Sequence, residues 1–412
     1  MARGKKMLSC ETIGLRLKKA RKEQGLNARK LSLMADLSPS VVQSIEDERR
    51  TPGVDTVEKL ALALGVSKCW LAYGEGPQHR QELNYFSAPG FDPIKLIRDL
   101  SSLLNGPGGH IEQSYKYLDV KDVDNWCSLT KQSRYKTMEQ RPLEAVADTL
   151  HRNIGKTGLD VVGLGVGTAA HEIRLLSRLL DLGYCDLRLY LLDISQPLLT
   201  IASQHVTEAL ASHPSVRVTV INGDFFQLPA YEALFQTTHR RRRLFCMFGY
   251  TFGNLNNEIN FVRGSFTGAE PGDLLLIDAG LARAPSDRRE EILSKEPVLA
   301  KNISPELHRQ LQHQEAFNLG PLLRYRRGVA EVDYLYSLDT ASCVVPGSYA
   351  IQMRAATQTT DGKTTHFSLG YIKRYDPQKL TAQMLAEGWE TVGSWSYGGD
   401  THMVCMFRRL TT

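Results

Sequence analysis

An open, mostly parallel α/β sheet preceded by a small all-helical module is the fold class this 412-residue sequence predicts. Three observations carry it. Residues 163–167 read GLGVG between an apolar run, Leu159–Val162, and a helix-like stretch, His171–Leu180. An acid, Asp193, closes the next apolar run, Leu187–Leu192, and Asn222-Gly223-Asp224-Phe225 follows a third. Residues 11–73, by contrast, carry short apolar repeats at helical spacing.

The helical module comes first. Over 11–24, Ile13, Leu17 and Ala20 form one stripe, with Arg16, Lys18, Lys19, Arg21 and Lys22 mostly outside it. Gly25 stops that helix. Residues 28–34 form a second with Leu31 inward. Ser38-Pro39 signals a third helix carrying Val42 and Ile45. Residues 54–64 repeat the spacing with Val57, Leu60, Ala61 and Leu64, and Ser67 caps a last helix that buries Trp70 and Leu71. Residues 1–80 hold 15 Lys/Arg against 9 Asp/Glu, while the remainder is nearly balanced. A basic excess confined to one small domain fits a nucleic-acid contact surface, or simple solvation.

Residues 74–91 mix Gly, Pro and polar residues and read as a boundary. The expected division is a helical domain over 1–76, a linker over 77–91 and a larger domain over 92–412. Residues 92–104 look helical with Ile94, Ile97 and Leu100 inward, as do 113–128 and 138–151. Tyr115, Tyr117, Trp126 and Tyr135 crowd this region, as packing or as a lid over a pocket.

In the core, glycines at 163, 165 and 167 allow a tight turn and close approach of backbone to ligand. The following helix turns its free amides toward that spot. Strand two ends in Asp193, where a carboxylate can accept both ribose hydroxyls. Val216–Ile221 is strand three, and Asp224 then stands where it can take an adenine amine, with Phe225 able to stack on the ring. Phe245–Phe248 is strand four, followed by Gly249–Asn254, and Leu274–Ile277 is strand five, ending in Asp278. Polar groups thus converge where open sheets bind ligands. No second mononucleotide half follows, which favours S-adenosylmethionine over a dinucleotide.

Two resemblances extend this reading. LNARKLSLMADLSPSVVQSIEDERRTP and WLAYGEG resemble the repressor-type helix-turn-helix of the Cro and phage-repressor class. That implies a five-helix DNA-binding module with residues 39–48 in the major groove. Ser40, Val41, Gln43 and Ser44 are then the base-facing candidates, and Arg49 and Arg50 the phosphate contacts. Readers of this class pair on two-fold sites, so a homodimer is expected.

Residues 111–412 resemble the histidine-specific N-methyltransferase-like family, which contains the enzyme that trimethylates histidine on the way to ergothioneine. VVGLGVGTAAHEIRLL, LYLLDIS, INGDFFQL, FGYTFGNL, EAFNLGPLLR and the ending from FSLGYIKRYDP carry the likeness. It implies a Rossmann-like core at about 150–280 and 371–412, with a substrate-binding subdomain at about 92–149 and 281–370. It also implies that Gly163, Gly165 and Gly167 hold the methionine part of S-adenosylmethionine, Asp193 the ribose, and Asp224 with Phe225 the adenine. Asn254 orients the substrate amine or carboxylate. Tyr117 and Tyr135 match a tyrosine-rich flap, and Phe317 and Asn318 an AFN segment.

One departure matters. A glutamate and a serine grip imidazole in the histidine enzymes, and the matching stretch His366–Ile372 has no carboxylate. A small amine or amino-acid-like substrate other than histidine is therefore expected, with Ser368, Tyr371 and Trp395 beside it.

The expected activity is N-methylation of a small-molecule amine, leaving S-adenosylhomocysteine. Methyl transfer needs alignment, an unprotonated nucleophile and exclusion of water. Asn254, Tyr117 and Tyr371 are the residues expected to provide these. The alternative is a DNA-binding regulator whose methyltransferase-like half senses the cofactor, its product or a metabolite. No metal is expected, because His171, His366 and His402 are isolated. Seven scattered cysteines without a CxxC pair, no apolar run of 18 residues and no secretory signal point to a cytoplasmic protein without membrane partners.

Overall fold

The computed structural model describes residues 12–74, 78, 83–131, 139–155, 158–211, 213, 216–235, 241–282, 316–341 and 343–411. Two compact units emerge: 1–82 with 206–217, and 83–205 with 218–412.

The first unit holds five helices: α1 (Ile13–Glu23), α2 (Ala28–Met34), α3 (Val41–Glu46), α4 (Val54–Leu64) and α5 (Lys68–Tyr73). Side chains of Thr12, Asn27 and Ser67 accept first-turn amides of α1, α2 and α5, supplying the partners that helix starts lack. Leu17, Leu31, Val42, Ile45, Leu60 and Leu71 fill one core. Gly14 lets α1 meet α3, since a Cβ there would stand 2.5 Å from the Ile45 carbonyl oxygen. Two basic residues expected outside are structural. Arg16 is buried and donates from Nε to the Leu71 carbonyl (3.0 Å) and from Nη2 to that of Ala72 (2.8 Å). Arg21 grips buried Glu46 through both carboxylate oxygens at 2.6 and 2.7 Å. A guanidinium fork satisfies several acceptors at once, which is why these two cations turn inward.

The second unit is one twelve-stranded sheet. Its strands are β1 (Leu83–Ser87), β2 (Gly109–His110), β3 (Leu159–Leu164), β4 (Leu187–Asp193), β5 (Arg217–Asn222), β6 (Arg242–Met247), β7 (Leu274–Leu281), β8 (Val329–Asp339), β9 (Tyr349–Thr359), β10 (Thr364–Tyr375), β11 (Trp389–Tyr397) and β12 (His402–Arg409). The order is β1-β5-β4-β3-β6-β7-β10-β9-β8, with β12 pairing β7 and β11 outside it. β1 to β7 pair in parallel along this path, while β8, β9 and β10 form an antiparallel extension. β3 is buried along its whole length, as expected of a strand covered on both faces. The helices are α6 (Pro93–Leu104), α7 (Val120–Thr130), α8 (Leu143–Ile154), α9 (Ala170–Asp181), α10 (Gln196–Ala209), α11 (Glu232–Phe235), α12 (Glu258–Ser265) and α13 (Pro377–Ala386), with residues 316–325 also helical.

Several expectations need correction. Residues 83–87 lie in the expected linker but form β1, a short edge strand with Tyr85 and Phe86 partly exposed. Its five residues alternate too briefly for periodicity to reveal them. Ile94, expected inward, is 60% exposed, whereas Leu100 is buried as expected, together with Leu104 one turn on. Residues 113–128 divide into a 3-10 turn (Gln113–Tyr117) and α7, and α8 begins only after Pro142. The expected boundary at 370/371 falls inside β10, which runs unbroken from the antiparallel extension to its pairing with β7.

Candidate functional site

The carboxyl ends of β3, β4 and β5 converge on one polar edge. Gly165 (φ +69°) and Gly167 (φ +55°) turn the chain between β3 and α9 in left-handed conformations that suit glycine. Gly163 has another role. It is buried within β3, where a Cβ would stand 2.4 Å from Val166 Cγ1 and 3.1 Å from the Glu172 carboxylate.

Asp193 ends β4. Its Oδ2 accepts the Gly167 amide (3.0 Å) and its Oδ1 the Ser195 amide (2.8 Å). Burial pushes this carboxyl up to about 6, with the backbone amides pulling the other way. An ionised carboxylate has about four acceptor positions, so capacity remains for further donors. Asp224 caps the turn after β5, its Oδ1 accepting the Phe226 amide (3.0 Å). It is half-buried, and burial raises its pKa. Phe225 stacks on Phe226, with ring centroids 5.2 Å apart, and its edge reaches the space before Gly165.

Asn254 ends a 3-10 turn after β6. It is half-buried, and its side chain makes no hydrogen bond among the described residues. The loop before it is anchored from below. Buried Asp278 accepts the Gly249 amide (3.2 Å), Arg141 Nε (2.7 Å) and the Tyr397 hydroxyl (2.5 Å). Arg141 also meets His171 Nε2 at 2.9 Å. Behind the glycine turn, Glu172 is wholly buried with Oε2 unpartnered among the described residues, and desolvation pushes it up to about 8.

A cavity of about 910 Å³ opens beside these tips, between α6, α7 and α10. Thr168, Ile194, Gln196 and Asn222 form its inner wall, and Ile97 and Val123 part of its outer wall. The glycine turn, the spare acceptor capacity of Asp193 and this volume fit a nucleoside cofactor.

The residues expected around the substrate divide into groups. Tyr117, Phe317 and Asn318 come together: Tyr117 lies 5.3 Å from Phe317 and 6.2 Å from Trp126 between ring centroids. Trp126 in turn covers Gly167, 2.9 Å from where a Cβ would be. Asn318 accepts from fully buried Lys116 (2.9 Å) and donates to the Tyr334 hydroxyl (2.8 Å). Ser368 and Tyr371 belong to a second cluster. Gln352 Nε2 lies 3.2 Å from Ser368 Oγ and 3.3 Å from the Tyr371 hydroxyl, while His110 Nδ1 lies 3.1 Å from Ser368 Oγ. Register puts this cluster on the face of the extension opposite Met353 and Tyr336. Trp395 is apart from both, on β11, separated from β10 by β12 and β7, with its ring against Gly393. Tyr135 lies outside the described residues.

Sequence reasoning missed Lys116, Arg141 and Glu172. Lys116 sits among aromatics in SYKYLD, and nothing in that pattern marks its amine as buried.

In the first unit, Ser40 and Gln43 are exposed and Ser44 is half-buried, its Oγ donating to the Ser40 carbonyl (2.9 Å). Val41 is a correction: it is 7% exposed and packs in the core, because α3 turns its first residue inward with Val42 and Ile45. Arg49 and Arg50 are exposed, and Arg49 and Gln43 both donate to Asp47. Among the described residues no group of three or more His, Cys, Asp or Glu could hold a metal ion, and no helix is long and apolar enough to cross a membrane.

Fold and site together define a helix-turn-helix unit joined to an α/β unit with a nucleoside-cofactor edge. Comparison makes the class specific. Residues 17–71 match the helix-turn-helix family, and residues 98–290 match the family described as histidine-specific methyltransferase, SAM-dependent. The immunity repressor protein of Bacillus phage phi105 is 31% identical over 98 residues, which is 24% of this chain and 68% of the repressor. Solved structures similar to this chain include the magnesium protoporphyrin IX methyltransferase of Synechocystis PCC 6803 with bound SAH (11% identity, TM-score 0.40, 71% of this chain and 96% of that one). Another is the 1,6-didemethyltoxoflavin-N1-methyltransferase of Burkholderia thailandensis (11%, TM-score 0.37, 79% and 93%). The chain belongs to the repressor-type helix-turn-helix family through its first unit, and its second carries a SAM-dependent methyltransferase domain of the histidine-specific family.

Proposed function

We propose that this methyltransferase acts on nitrogen, in a small amine or amino-acid-like substrate other than histidine. The observation that carries the reading is a polar side chain, Asn254, without a hydrogen bond among the described residues, in the loop after β6 of a unit whose neighbouring strand tips fit the cofactor. S-adenosylmethionine bound at these tips supplies an activated methyl group. Gly165 and Gly167 present backbone without side-chain bulk, Asp193 accepts from the ribose, and Asp224 with Phe225 receives the adenine. Asn254 orients the acceptor amine through its amide oxygen. Tyr117, beside Phe317 and Trp126, excludes water from the acceptor side. Tyr371 and Ser368 sit with neutral His110 in a separate polar cluster, so Tyr117 is the better supported of the two catalytic tyrosines.

The test is turnover. The full chain is incubated with S-adenosylmethionine and a panel of small amines and amino acids, and S-adenosylhomocysteine is quantified. Turnover with a non-histidine amine, reduced at least tenfold by Asn254→Ala, is expected. Histidine as the preferred acceptor contradicts the reading.

A second reading is favoured by the first unit. Ser40, Gln43, Arg49 and Arg50 are exposed on and just after α3, and the likeness to a phage repressor supports DNA contact. In this reading the chain is a cytoplasmic homodimer that binds a two-fold DNA site and couples cofactor or metabolite binding to it. Tight DNA binding that shifts with S-adenosylhomocysteine, with no turnover on any amine, supports the regulator over the enzyme.

A further inference from the structure

Lys116 is the one lysine of the sequence SYKYLD, and its whole side chain is withdrawn from solvent. A buried ammonium is expensive unless a carboxylate faces it. Among the described residues none does. Its Nζ donates to Asn318 Oδ1 at 2.9 Å and lies 5.8 Å from the centre of the Phe317 ring. Beyond Asn318, its Nδ2 donates to the Tyr334 hydroxyl (2.8 Å) and that hydroxyl to the Tyr336 hydroxyl (3.0 Å). Desolvation pushes the amine down to about 7, with no neighbouring acid opposing it.

A second unsatisfied group faces the same spot. Gln113 Oε1 is buried without a donor among the described residues. Both groups meet at Gly370, at a β-bulge in β10, where φ is +136°. A Cβ there would lie 2.7 Å from Gln113 Oε1 and 3.5 Å from Lys116 Nζ. The site thus presents unused N–H donors on a cation beside an unused acceptor. From it, ring contacts run through Phe317, Tyr117 and Trp126 to Gly167 in the cofactor turn.

We infer that Lys116 and Gln113 form a specificity-determining seat for a carboxylate carried by the methyl acceptor. The inference rests on the proposed reading of this unit as an amine methyltransferase and names the charge its acceptor carries. One cation matches one monoanionic carboxylate, whereas a phosphate dianion would need a second cation. Gln113 Oε1 accepts an N–H or O–H next to that carboxylate. Asn318, held by Tyr334, positions the Lys116 Nζ, and Gly370 lacks the Cβ that would stand 2.7 Å from Gln113 Oε1.

The full chain is titrated calorimetrically with the twenty protein amino acids, each compared with its α-carboxamide, and with aspartate and glutamate compared with asparagine and glutamine. Each titration is run with and without S-adenosylhomocysteine. At least one carboxylate-bearing amine binds, and its isosteric carboxamide binds at least 100-fold more weakly. Lys116→Met brings that ratio close to one while leaving S-adenosylhomocysteine affinity unchanged. Asn318→Asp, which pairs the ammonium internally without removing it, lowers carboxylate affinity in the same way and guards against a folding defect in the first variant. The inference is overturned if no carboxylate-bearing amine binds, if carboxamides bind equally, or if both variants keep the preference. Failure of S-adenosylhomocysteine binding alone removes the methyl-transfer reading and leaves the carboxylate result to stand or fall separately.

Discussion

Replacing Lys116 by methionine is expected to stabilise the ligand-free protein, by an amount that grows as pH falls. The amine titrates near its ordinary 10.5 in the unfolded chain but is pushed down to about 7 when folded. Folding therefore favours the neutral form. Above pH 10.5 this lysine costs nothing electrostatically, and the penalty reaches its full value below pH 7. The linkage gives about 5 kcal/mol near pH 6.5 and about 1 kcal/mol near pH 9.5. Methionine removes the penalty and matches the stem in volume. Against this, Asn318 Oδ1 loses its donor, at about 1–3 kcal/mol. The net gain is about 2–4 kcal/mol at pH 6.5 and roughly zero or negative at pH 9.5. At about 2 °C per kcal/mol for a unit of this size, the melting temperature rises by about 4–8 °C at the lower pH. Thermal unfolding followed by circular dichroism at both pH values measures it. A variant equally or less stable at pH 6.5, or a difference that does not change with pH, refutes the claim that the ammonium is unpaired.

Three further outcomes follow from the same reasoning. Glu172 is held up at about 8, so its contribution is fully present below its unfolded value of 4.5 and is lost as pH rises through 8. Glu172→Gln is therefore expected to melt higher than the natural chain at pH 8.5 and no higher at pH 5, and equal behaviour at both contradicts the buried-acid account. Gly165→Ala places a methyl 3.3 Å from Phe225 and Thr251 in a left-handed backbone, costing about 1 kcal/mol and weakening S-adenosylhomocysteine binding at least tenfold in calorimetry. Glu46→Ala leaves half-buried Arg21 with only the Leu26 carbonyl and is expected to destabilise the first unit by about 1–3 kcal/mol, seen as an early loss of helical signal on heating. A change under about 0.5 kcal/mol would show that the pair is idle.

How much of this was legible in the sequence depends on how local the cause is. β3 and β4 announce themselves because strands buried on both faces must be continuously apolar. The five helices of the first unit were legible because their apolar residues recur at helical spacing, as Val57, Leu60, Ala61 and Leu64 do, and because Ser67 caps the last of them. The failures share a non-local origin. Arg16 turns inward because carbonyls of α5, more than fifty residues on, need its donors. Asp278 reads as a strand end but is locked by Arg141 and Tyr397 from distant segments. Ser368 was expected beside the substrate, and the register of β10 against β9 puts it on the opposite face from Gly370. Periodicity gives alternation within a strand, but a bulge at 368–370 resets it, and its one local sign is the lone Gly370 within the strand.

Calorimetric titration of the full chain with S-adenosylhomocysteine near neutral pH tests the cofactor edge most directly, with Asp193→Ala alongside. The account predicts one site per chain with micromolar or tighter affinity, weakened at least 100-fold when the Asp193 carboxylate is removed. No heat at high micromolar ligand, or an unchanged affinity in the variant, would contradict it.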